Sequence, residues 1–287
     1  MIGINCKILT GREPAAHIKA QVAQIISPLK LKPTLAVIMV GNNPASAAYV
    51  NGKKRDCEEC GIEFLLKWFP EDVTQEEILN TIWDLNITFG INGILVQLPL
   101  PSHLDKSAII SAIAPEKDVD CFCESNIGKM FLGDTNTFWP CTPLGIIELL
   151  TYYNIGVQGK HCVVIGRSDI VGKPMATILT NLGATVTICN SHTKNLEFFT
   201  KNADIIICAV GKQNFLTADM VSEGVVVIDV GINRNDEGKL CGDADFEELK
   251  LKASAITPVP GGVGLMTRAA LMINLAGTVA QQVAAED

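Results

Sequence analysis

The chain has 287 residues, of which 48% are hydrophobic and 19% are charged, and its formal net charge at pH 7 is −8. That length is enough for about two domains, and the composition is that of a globular protein with a sizeable core. The negative charge argues against nucleic acid and anionic membranes as partners, although a local basic pocket can still hold an anionic small substrate.

Helix and strand patterns alternate through the first part of the chain. The second helix has a cap at Asn43 and a closing glycine at Gly61, while Thr74 and Glu77 form a capping box that opens the third. Such alternation predicts a parallel sheet. The predicted helices are 14–31, 43–60 and about 74–85, and the predicted strands are 35–40, 64–69 and 93–98.

A second alternating unit begins near residue 140. Its pattern predicts a three-layer, doubly wound α/β fold. The predicted strands are 161–165, 185–189, 205–210 and 225–230, and the predicted helices are 171–182, 195–201 and a final apolar helix at about 265–283. We expect this last helix to pack back on the first domain. The predicted domains are therefore 1–139 plus 265–287, which is discontinuous, and 140–264.

Targeting and membrane signals are not evident in the pattern. Residues 1–12 lack the charged and then apolar order of a secretory signal. The most apolar stretch, 269–280, is shorter than the about 20 residues that span a bilayer, and it is interpreted as a buried helix. We expect a cytoplasmic protein.

Two close cysteine pairs raise the question of a metal or redox site. Cys57 and Cys60 have the Cys-x-x-Cys spacing, and Cys121 and Cys123 are also close. A structural zinc site needs four converging ligands, and the first pair lies inside a predicted helix. Free buried thiols are favoured over zinc, redox or disulfide roles, and no metal is predicted.

A glycine-rich turn joins strand 161–165 to the next helix. It begins at Gly166, and Ser168 stands where the Gly-x-Gly-x-x-Gly pattern has its middle glycine. Such a turn places a pyrophosphate on a helix N-terminus. Any tight strand-to-helix turn needs glycine, so the loop alone is weak evidence. The strand–helix–strand series that follows it favours a dinucleotide site.

The end of the next strand bears on the choice of cofactor. NAD-binding units usually carry Asp or Glu there, which accepts from the ribose hydroxyl. Here the residues are Asn190, Ser191 and His192, with no acid. A guanidinium at Arg167 could pair with a 2′-phosphate instead, so we predict NADP over NAD. The alternative is that Arg167 is a solvated loop cation.

Three polar residues in the first domain are candidates for substrate chemistry. Tyr49 and Lys53 lie on the same face of the second helix, where an aromatic ring would sit beside an amine. Taken alone, a core aromatic and a solvated lysine are the more ordinary interpretation. Gln97 stands at the end of an apolar strand, where an amide is costly unless it has a partner.

A series of motifs then occurs in order along nearly the full length. They are Asn43-Pro44-Ala45-Ser46, Tyr49-Val50-x-x-Lys53, Gly93-Ile94-Leu95-Val96-Gln97-Leu98-Pro99-Leu100-Pro101, Lys117-Asp118-Val119-Asp120, Pro140-Cys141-Thr142-Pro143, Val164-Ile165-Gly166-Arg167-Ser168, Asp229-Val230-Gly231-Ile232-Asn233-Arg234 and Thr257-Pro258-Val259-Pro260-Gly261-Gly262-Val263-Gly264. The set closely resembles the bifunctional methylenetetrahydrofolate dehydrogenase–cyclohydrolase family.

The resemblance implies a fold and a two-step reaction. The fold is an N-terminal α/β substrate domain and a Rossmann-like, doubly wound NADP-binding domain, with a deep cleft between them that holds the folate. NADP oxidises 5,10-methylenetetrahydrofolate to the 5,10-methenyl form, and water opens this product to 10-formyltetrahydrofolate, in one-carbon metabolism. A homodimer formed through the nucleotide domains is also implied.

Residue roles follow from the same resemblance. Lys53 would be the acid–base residue, with a pKa depressed by burial or by the cationic substrate, and Gln97 would orient it. Asp120 would accept from the amino and ring N–H groups of the pterin, and Tyr49 would stack on the pterin or its aryl neighbour. Further substrate contacts would be Pro260, Gly261 and Gly262, and cofactor contacts would be Gly166, Arg167, Ser168, Ser191 and Ile232.

Two departures from the family pattern stand near the site, and of three rival functions only one stays open. Cys121 replaces a usual glycine after Asp120, and Leu265 replaces a usual proline, which could loosen the last helix.

A short-chain dehydrogenase shares the spacing of Tyr49 and Lys53, but there the pair follows the nucleotide loop. A non-catalytic folate or nucleotide sensor would lose Lys53 and Gln97. A dehydrogenase without hydrolase activity stays open because of Cys121.

Overall fold

A computed structural model describes residues 5–286, which divide into two compact units. We call the part formed by 5–15 and 142–267 the six-stranded unit, and the part formed by 16–141 and 268–286 the three-stranded unit. The outermost residues of the predicted discontinuous domain, 1–4 and 287, lie outside the described residues.

Short strands alternate with longer helices in both units. Through residue 141 the elements are β1 (Lys7–Ile8), α1 (Arg12–Ile26), β2 (Thr34–Val40), α2 (Pro44–Cys60), β3 (Glu63–Phe69), α3 (Gln75–Ile87), β4 (Ile91–Val96), α4 (Lys106–Ser111), a 3-10 turn (Pro115–Lys117) and α5 (Glu124–Phe131). They continue with α6 (Cys141–Tyr152), β5 (His161–Ile165), α7 (Gly172–Asn181), β6 (Thr185–Cys189), α8 (Leu196–Thr200), β7 (Ile205–Cys208), a 3-10 turn (Ala218–Met220), β8 (Val226–Asp229), β9 (Asn233–Arg234), β10 (Leu240–Cys241), α9 (Phe246–Leu249), β11 (Ala255–Ile256) and α10 (Val263–Glu286).

The three-stranded unit is built on a parallel sheet with the order β3-β2-β4. The central strand β2 is almost wholly buried, as expected for a strand covered on both faces. One face packs on α3 through Ile78 and Ile82, which are fully buried. The predicted strands and helices of this region are present, including the Asn43 cap and the Thr74 capping box. However, the first helix ends at Ile26 rather than at residue 31, and the third strand lies at Ile91–Val96 rather than at 93–98.

The six-stranded unit has an all-parallel sheet with the order β1-β11-β8-β7-β5-β6. The chain passes from β5 to β6 on one side and returns to β7 on the other. The carboxyl ends of β5 and β7 therefore flank a topological switch point, where doubly wound sheets bind ligands. The predicted doubly wound fold is confirmed, and strands 161–165 and 185–189 have the predicted bounds.

The units divide the chain differently from the predicted domains. Residues 7–8 pair in parallel with 255–256, which attaches the N-terminal residues to the six-stranded unit. A two-residue strand is too short to show a periodic pattern, so the sequence gives no sign of it. The units change within 141–142 and 267–268, rather than at 139–140 and 264–265.

Helix α10 belongs to both units, since residues through Thr267 count with one and those from Arg268 count with the other. Its stretch Val263–Gln282 is long and apolar enough to cross a membrane by length and composition, with a mean hydropathy of 1.4. The apolar segment is thus longer than the sequence pattern indicated. However, 61% of the stretch is buried inside the protein, which is typical of a core helix.

Candidate active site

Helix α2 presents one face of functional side chains to the three-stranded unit. The side chain of Asn43 accepts from the backbone N–H groups of the first turn, and Gly61 ends the helix in the left-handed conformation. Between these ends, Tyr49 and Lys53 are one turn apart on the same face. Lys53 is buried and Tyr49 is half-buried.

Lys53 and Gln97 are in contact at the carboxyl end of the three-stranded sheet. The Nζ of Lys53 donates to Oε1 of Gln97 at 3.0 Å, and Nε2 of Gln97 donates to the carbonyl of Leu98 at 2.7 Å. Gln97 follows β4, and its backbone N–H donates to the carbonyl of Ile38 on β2 at 2.8 Å. The amide is therefore fixed with its oxygen facing the lysine.

The electrostatic environment of Lys53 favours a neutral amine. Burial lowers the pKa of Lys53 below its ordinary value, and the nearby carboxylate of Asp120 offsets part of this effect. A neutral amine in a buried site can accept a proton from water and return it to a leaving group. The carboxylate of Asp120 thus lies close enough to act on the charge of Lys53.

The segment that carries Asp120 is held against the sheet by its neighbours in the sequence. Asp118 forms an isolated parallel bridge with Ile94 of β4, and its Oδ2 accepts from the backbone N–H of Cys123 at 2.8 Å. Lys117 donates to the carbonyls of Leu85 and Thr88 at the end of α3. In this motif the first two residues are structural, which leaves Asp120 as the half-buried carboxylate of the site.

Two buried residues that the sequence analysis did not single out support Asp120. Asn274 of α10 donates to the carbonyls of Val119 and Trp139 at 2.8 Å each. The thiol of Cys141 lies 3.3 Å from the Val119 carbonyl, and burial, followed by the charge of Asp120, raises the pKa of Cys141 well above its ordinary value. An asparagine within an apolar helix requires a partner, which was the available signal for Asn274.

Cys121 adopts a backbone conformation that normally favours glycine. Its φ is 56°, in the left-handed region. The side chain is fully buried, and its Sγ donates to the carbonyl of Phe138 at 2.9 Å. Cys121 thus keeps the turn that a glycine would form, at the cost of backbone strain. Leu265 lies inside α10, and its N–H donates to the carbonyl of Gly262 at 3.2 Å, a bond that proline cannot form.

The glycine-rich turn after β5 is closely packed. A Cβ on Gly166, where φ is 128°, would lie 2.2 Å from the carbonyl oxygen of Ala209, and one on Gly172 would lie 2.3 Å from the carbonyl oxygen of Gly166. The hydroxyl of Ser168 accepts from the N–H groups of Val171 and Gly172 at 3.2 and 3.3 Å. Ser168 therefore organises the start of α7, and the turn requires glycine at both positions, as is typical of turns that place a pyrophosphate on a helix N-terminus.

Arg167 follows β5 and Ser191 follows the neighbouring strand β6, both at the carboxyl end of the six-stranded sheet. Strand β5 ends opposite Cys189 of β6, and both Arg167 and Ser191 are exposed beyond these strand ends. Asn190 and Thr193 close a tight turn around Ser191 through a 2.8 Å bond from the Asn190 N–H to the Thr193 hydroxyl. A guanidinium and a hydroxyl at this edge, with no carboxylate in the turn, fit a phosphorylated ribose.

Two buried carboxylates shape the loops after β7 and β8. Asp243 accepts from the backbone N–H groups of residues 210–212 at 2.6 to 2.9 Å. Asp229 accepts from the N–H groups of Gly231, Asp243 and Ala244 at 2.9 Å each. Ile232, a predicted cofactor residue, follows this network and is 52% exposed. The loop beside the switch point is therefore held by side-chain acceptors rather than by a strand.

Pro260, Gly261 and Gly262 lie in the six-stranded unit, whereas Tyr49, Lys53, Gln97 and Asp120 lie in the three-stranded unit. The carbonyl of Gly261 accepts from the N–H of Gly11 at 2.8 Å. A Cβ on Gly11 would lie 2.3 Å from the carbonyl oxygen of Gly262. Predicted substrate residues are thus found in both units.

The cysteines provide no metal-binding arrangement in the part of the chain that the structure describes. All ten are free, and eight of them are buried. Within residues 5–286, no group of three or more His, Cys, Asp or Glu side chains could hold a metal ion.

Comparison with family models finds two matches, one in each half of the chain. The description "Tetrahydrofolate dehydrogenase/cyclohydrolase, catalytic domain" matches residues 9–120, and "Tetrahydrofolate dehydrogenase/cyclohydrolase, NAD(P)-binding domain" matches residues 140–283. The chain belongs to the tetrahydrofolate dehydrogenase/cyclohydrolase family. The resemblance inferred from the motifs is confirmed, as is the α/β fold with catalytic and nucleotide-binding parts.

Relatives of this family match almost the full length. "Bifunctional protein FolD" of Bacillus subtilis (strain 168) is 52% identical over 274 residues, covering 94% of this chain and 96% of that protein. The crystal structure of the bifunctional FolD methylenetetrahydrofolate dehydrogenase/cyclohydrolase from Campylobacter jejuni has a TM-score of 0.95 at 49% identity, covering 96% and 99% of the two chains. The Trypanosoma brucei enzyme, solved with NADP and an inhibitor, has a TM-score of 0.93 at 34% identity, covering 97% and 98%.

Proposed function

We propose that this chain oxidises 5,10-methylenetetrahydrofolate with NADP and hydrolyses the 5,10-methenyl product to 10-formyltetrahydrofolate. The observation that carries the proposal is the buried Lys53–Gln97 hydrogen bond in a member of this family. The predicted enzyme class, folate substrate and nicotinamide cofactor are supported by both family models and by the NADP-bound Trypanosoma relative.

Lys53 is the residue best suited to the hydrolysis. Attack of water on the methenyl carbon releases a proton, and the departing ring nitrogen needs one. Because burial lowers the pKa of Lys53, its amine can take the first proton and deliver the second. Gln97 accepts a hydrogen bond from one N–H of this amine at 3.0 Å. This bond leaves the lone pair and the other N–H of Nζ for the substrate.

Oxidation makes smaller demands on acid–base groups. The two nitrogens that flank the methylene carbon supply the electron density that expels hydride, so the chain mainly aligns the reactants. NADP, when bound, would supply the hydride acceptor. Asp120 would hold the pterin amino and ring N–H groups, Tyr49 would stack on a ring, and Pro260, Gly261 and Gly262 would contribute backbone contacts.

The residues present fit NADP. Gly166 and Gly172 leave no side-chain volume in the turn, and Ser168 sets the start of α7, so the pyrophosphate would lie on this turn. Arg167 and Ser191 would hold the 2′-phosphate, and Ile232 would contact the cofactor from the loop after β8. The lack of an acid between Asn190 and His192 supports NADP rather than NAD.

We also propose a homodimer in the cytoplasm, with no nucleic acid or membrane partner. The net charge of −8 supports the last point, because a polyanion or an anionic membrane would repel the chain. Size-exclusion chromatography with light scattering tests the dimer.

A single assay tests both reactions. Purified protein is mixed with 5,10-methylenetetrahydrofolate and either NADP or NAD, while reduced cofactor and methenyl-folate are followed together. We expect reduction with NADP, and 10-formyl product that forms faster than methenyl-folate hydrolyses unaided. Reduction with accumulating methenyl-folate would instead indicate a dehydrogenase without hydrolase activity. No reduction by folded protein with either cofactor would contradict the proposal and favour a sensor.

A further inference from the structure

An ion-pair chain crosses the same face of α2 that carries Tyr49 and Lys53. The Nζ of Lys19 contacts Oδ1 of Asp56 at 2.9 Å and also pairs with Glu59. On the other side, Nε of Arg268 lies 3.2 Å from Oδ2 of Asp56. The four charges alternate in sign, so Arg268 forms one end of a neutral chain.

The guanidinium of Arg268 lies directly on the backbone of α2. A Cβ on Gly52 would be only 2.0 Å from Nη1 of Arg268 and 3.1 Å from its Cζ. Gly52 therefore provides the space that the guanidinium fills. Gly52 is one turn after Tyr49 and one residue before Lys53. Burial raises the pKa of Tyr49, and the positive charge of Arg268 offsets part of this effect.

The contact with Asp56 does not exhaust the hydrogen-bonding capacity of either group. The side chain of Asp56 is 4% exposed, yet its Oδ2 has no aligned donor, so the contact with Arg268 is an ion pair without a well-formed hydrogen bond. Over residues 5–286, Nη1 and Nη2 of Arg268 have no hydrogen-bond acceptor. The Arg268 side chain is 20% exposed, so its Nη groups are open to solvent and to an oxygen ligand.

We propose that Arg268 binds a carboxylate of the glutamyl part of the substrate. This inference rests on the proposed function. Folates carry glutamate on the far side of the aryl ring, and Tyr49 is the proposed ring-stacking residue. Because Arg268 packs one helical turn from Tyr49, its guanidinium would lie beside the glutamyl carboxylates. The planar guanidinium can bind a carboxylate through two parallel hydrogen bonds. Asp56, held by Lys19, fixes the Nε side of the guanidinium, while Nη1 packs on Gly52 and its N–H groups, with those of Nη2, remain for the substrate.

The test compares two substrates that differ only in charge. One is 5,10-methylenetetrahydrofolate, and the other is its glutamyl diamide, in which both carboxylates are neutral amides. The variants are Arg268→Met, which removes the cation, and Gly52→Ala, which keeps every charge but displaces the guanidinium. Lys54→Met is the matched control, since Lys54 is an exposed cation of α2.

We expect the native chain to prefer the acid in kcat/KM by about tenfold or more, as for a charge-assisted hydrogen bond. The preference should fall below about twofold in Arg268→Met and in Gly52→Ala, and should persist in Lys54→Met. Equal losses for both substrates, or no preference in the native chain, would overturn the carboxylate site and leave the proposed function standing. Oxidation of neither substrate by the native chain would overturn both.

Discussion

The Nζ of Lys53 and the Oε1 of Gln97 are 3.0 Å apart although 44 residues separate them in the chain. Helix α2 follows β2, and Gln97 follows β4, which is the neighbour of β2 in the sheet. The parallel order of the strands therefore brings the two side chains to one edge. This relationship gives the site a buried amine with a defined acceptor.

We expect Lys53→Met to abolish the hydrolysis while it makes the protein more stable. Methionine has a similar length and has no charge to bury, so the free energy of unfolding should rise by about 1 kcal/mol near neutral pH. Urea unfolding measures this change, and the methenyl hydrolysis assay measures the loss. Normal hydrolysis by the variant would contradict the proposed role of Lys53.

The gain in stability from Lys53→Met should depend on pH. Burial lowers the pKa of Lys53 in the folded state below the ordinary 10.5. Between these two values the unfolded chain binds a proton that the folded chain does not, so stability falls as pH falls through this window and is constant below it. The difference in unfolding free energy between native and variant should therefore shrink as pH rises through this window, and be smallest above about 10.5. A difference that is constant up to this pH would mean that Lys53 is not desolvated.

Gln97→Glu should change the pH dependence of the hydrolysis. A carboxylate at the position of the amide oxygen would stabilise the protonated amine and raise the pKa of Lys53. The rate near pH 7 should fall by about 100-fold, with the acidic limb of the profile displaced to higher pH. Gln97→Met, which cannot accept a hydrogen bond of similar strength, should lose rate without this displacement. Identical pH profiles for the two variants would refute the orienting role.

Arg167→Ala should weaken NADP much more than NAD. Loss of a charged hydrogen bond to the 2′-phosphate should raise the KM for NADP by about tenfold to hundredfold, whereas the KM for NAD should change by about twofold at most. Lys160→Ala is the control, because Lys160 precedes β5 at the opposite end of the strand and pairs with Asp204. If both cofactors lose affinity equally, Arg167 does not recognise the 2′-phosphate.

Substitutions at Cys121 should separate backbone strain from chemistry. Cys121→Val places a β-branched side chain at a φ of 56° and should cost about 1–3 kcal/mol of unfolding free energy. Cys121→Gly relieves the strain, so the ratio of hydrolysis to oxidation should stay within about twofold of the native value. A large change in that ratio would show that the thiol itself supports Asp120.

Local signals in the sequence were enough for many elements. Asn43 and Gly61 mark the ends of α2 because caps act on their own helix, and strands β5 and β6 stand out as apolar runs between turns. The motifs also identified Lys53, Gln97 and Asp120 as candidates, since the family order was intact.

Long-range pairings were beyond the reach of local patterns. The pairing of β1 with β11 involves only two residues from each strand, and the contact between Asp56 and Arg268 joins two helices that are far apart in the chain. Asn274 was hidden in an apolar run, although a buried amide needs partners. In each case the deciding partner lies far away in sequence.

The close packing of the glycine-rich turn after β5 limits the positions at which cofactor preference can be redesigned. Gly166 and Gly172 each face a carbonyl oxygen at a distance that excludes any side chain. Libraries aimed at NAD use should therefore hold these two positions constant. If the proposed NADP contacts hold, diversity belongs instead at the exposed residues Arg167 and Ser191, where an introduced acid would be placed to accept from the ribose hydroxyl.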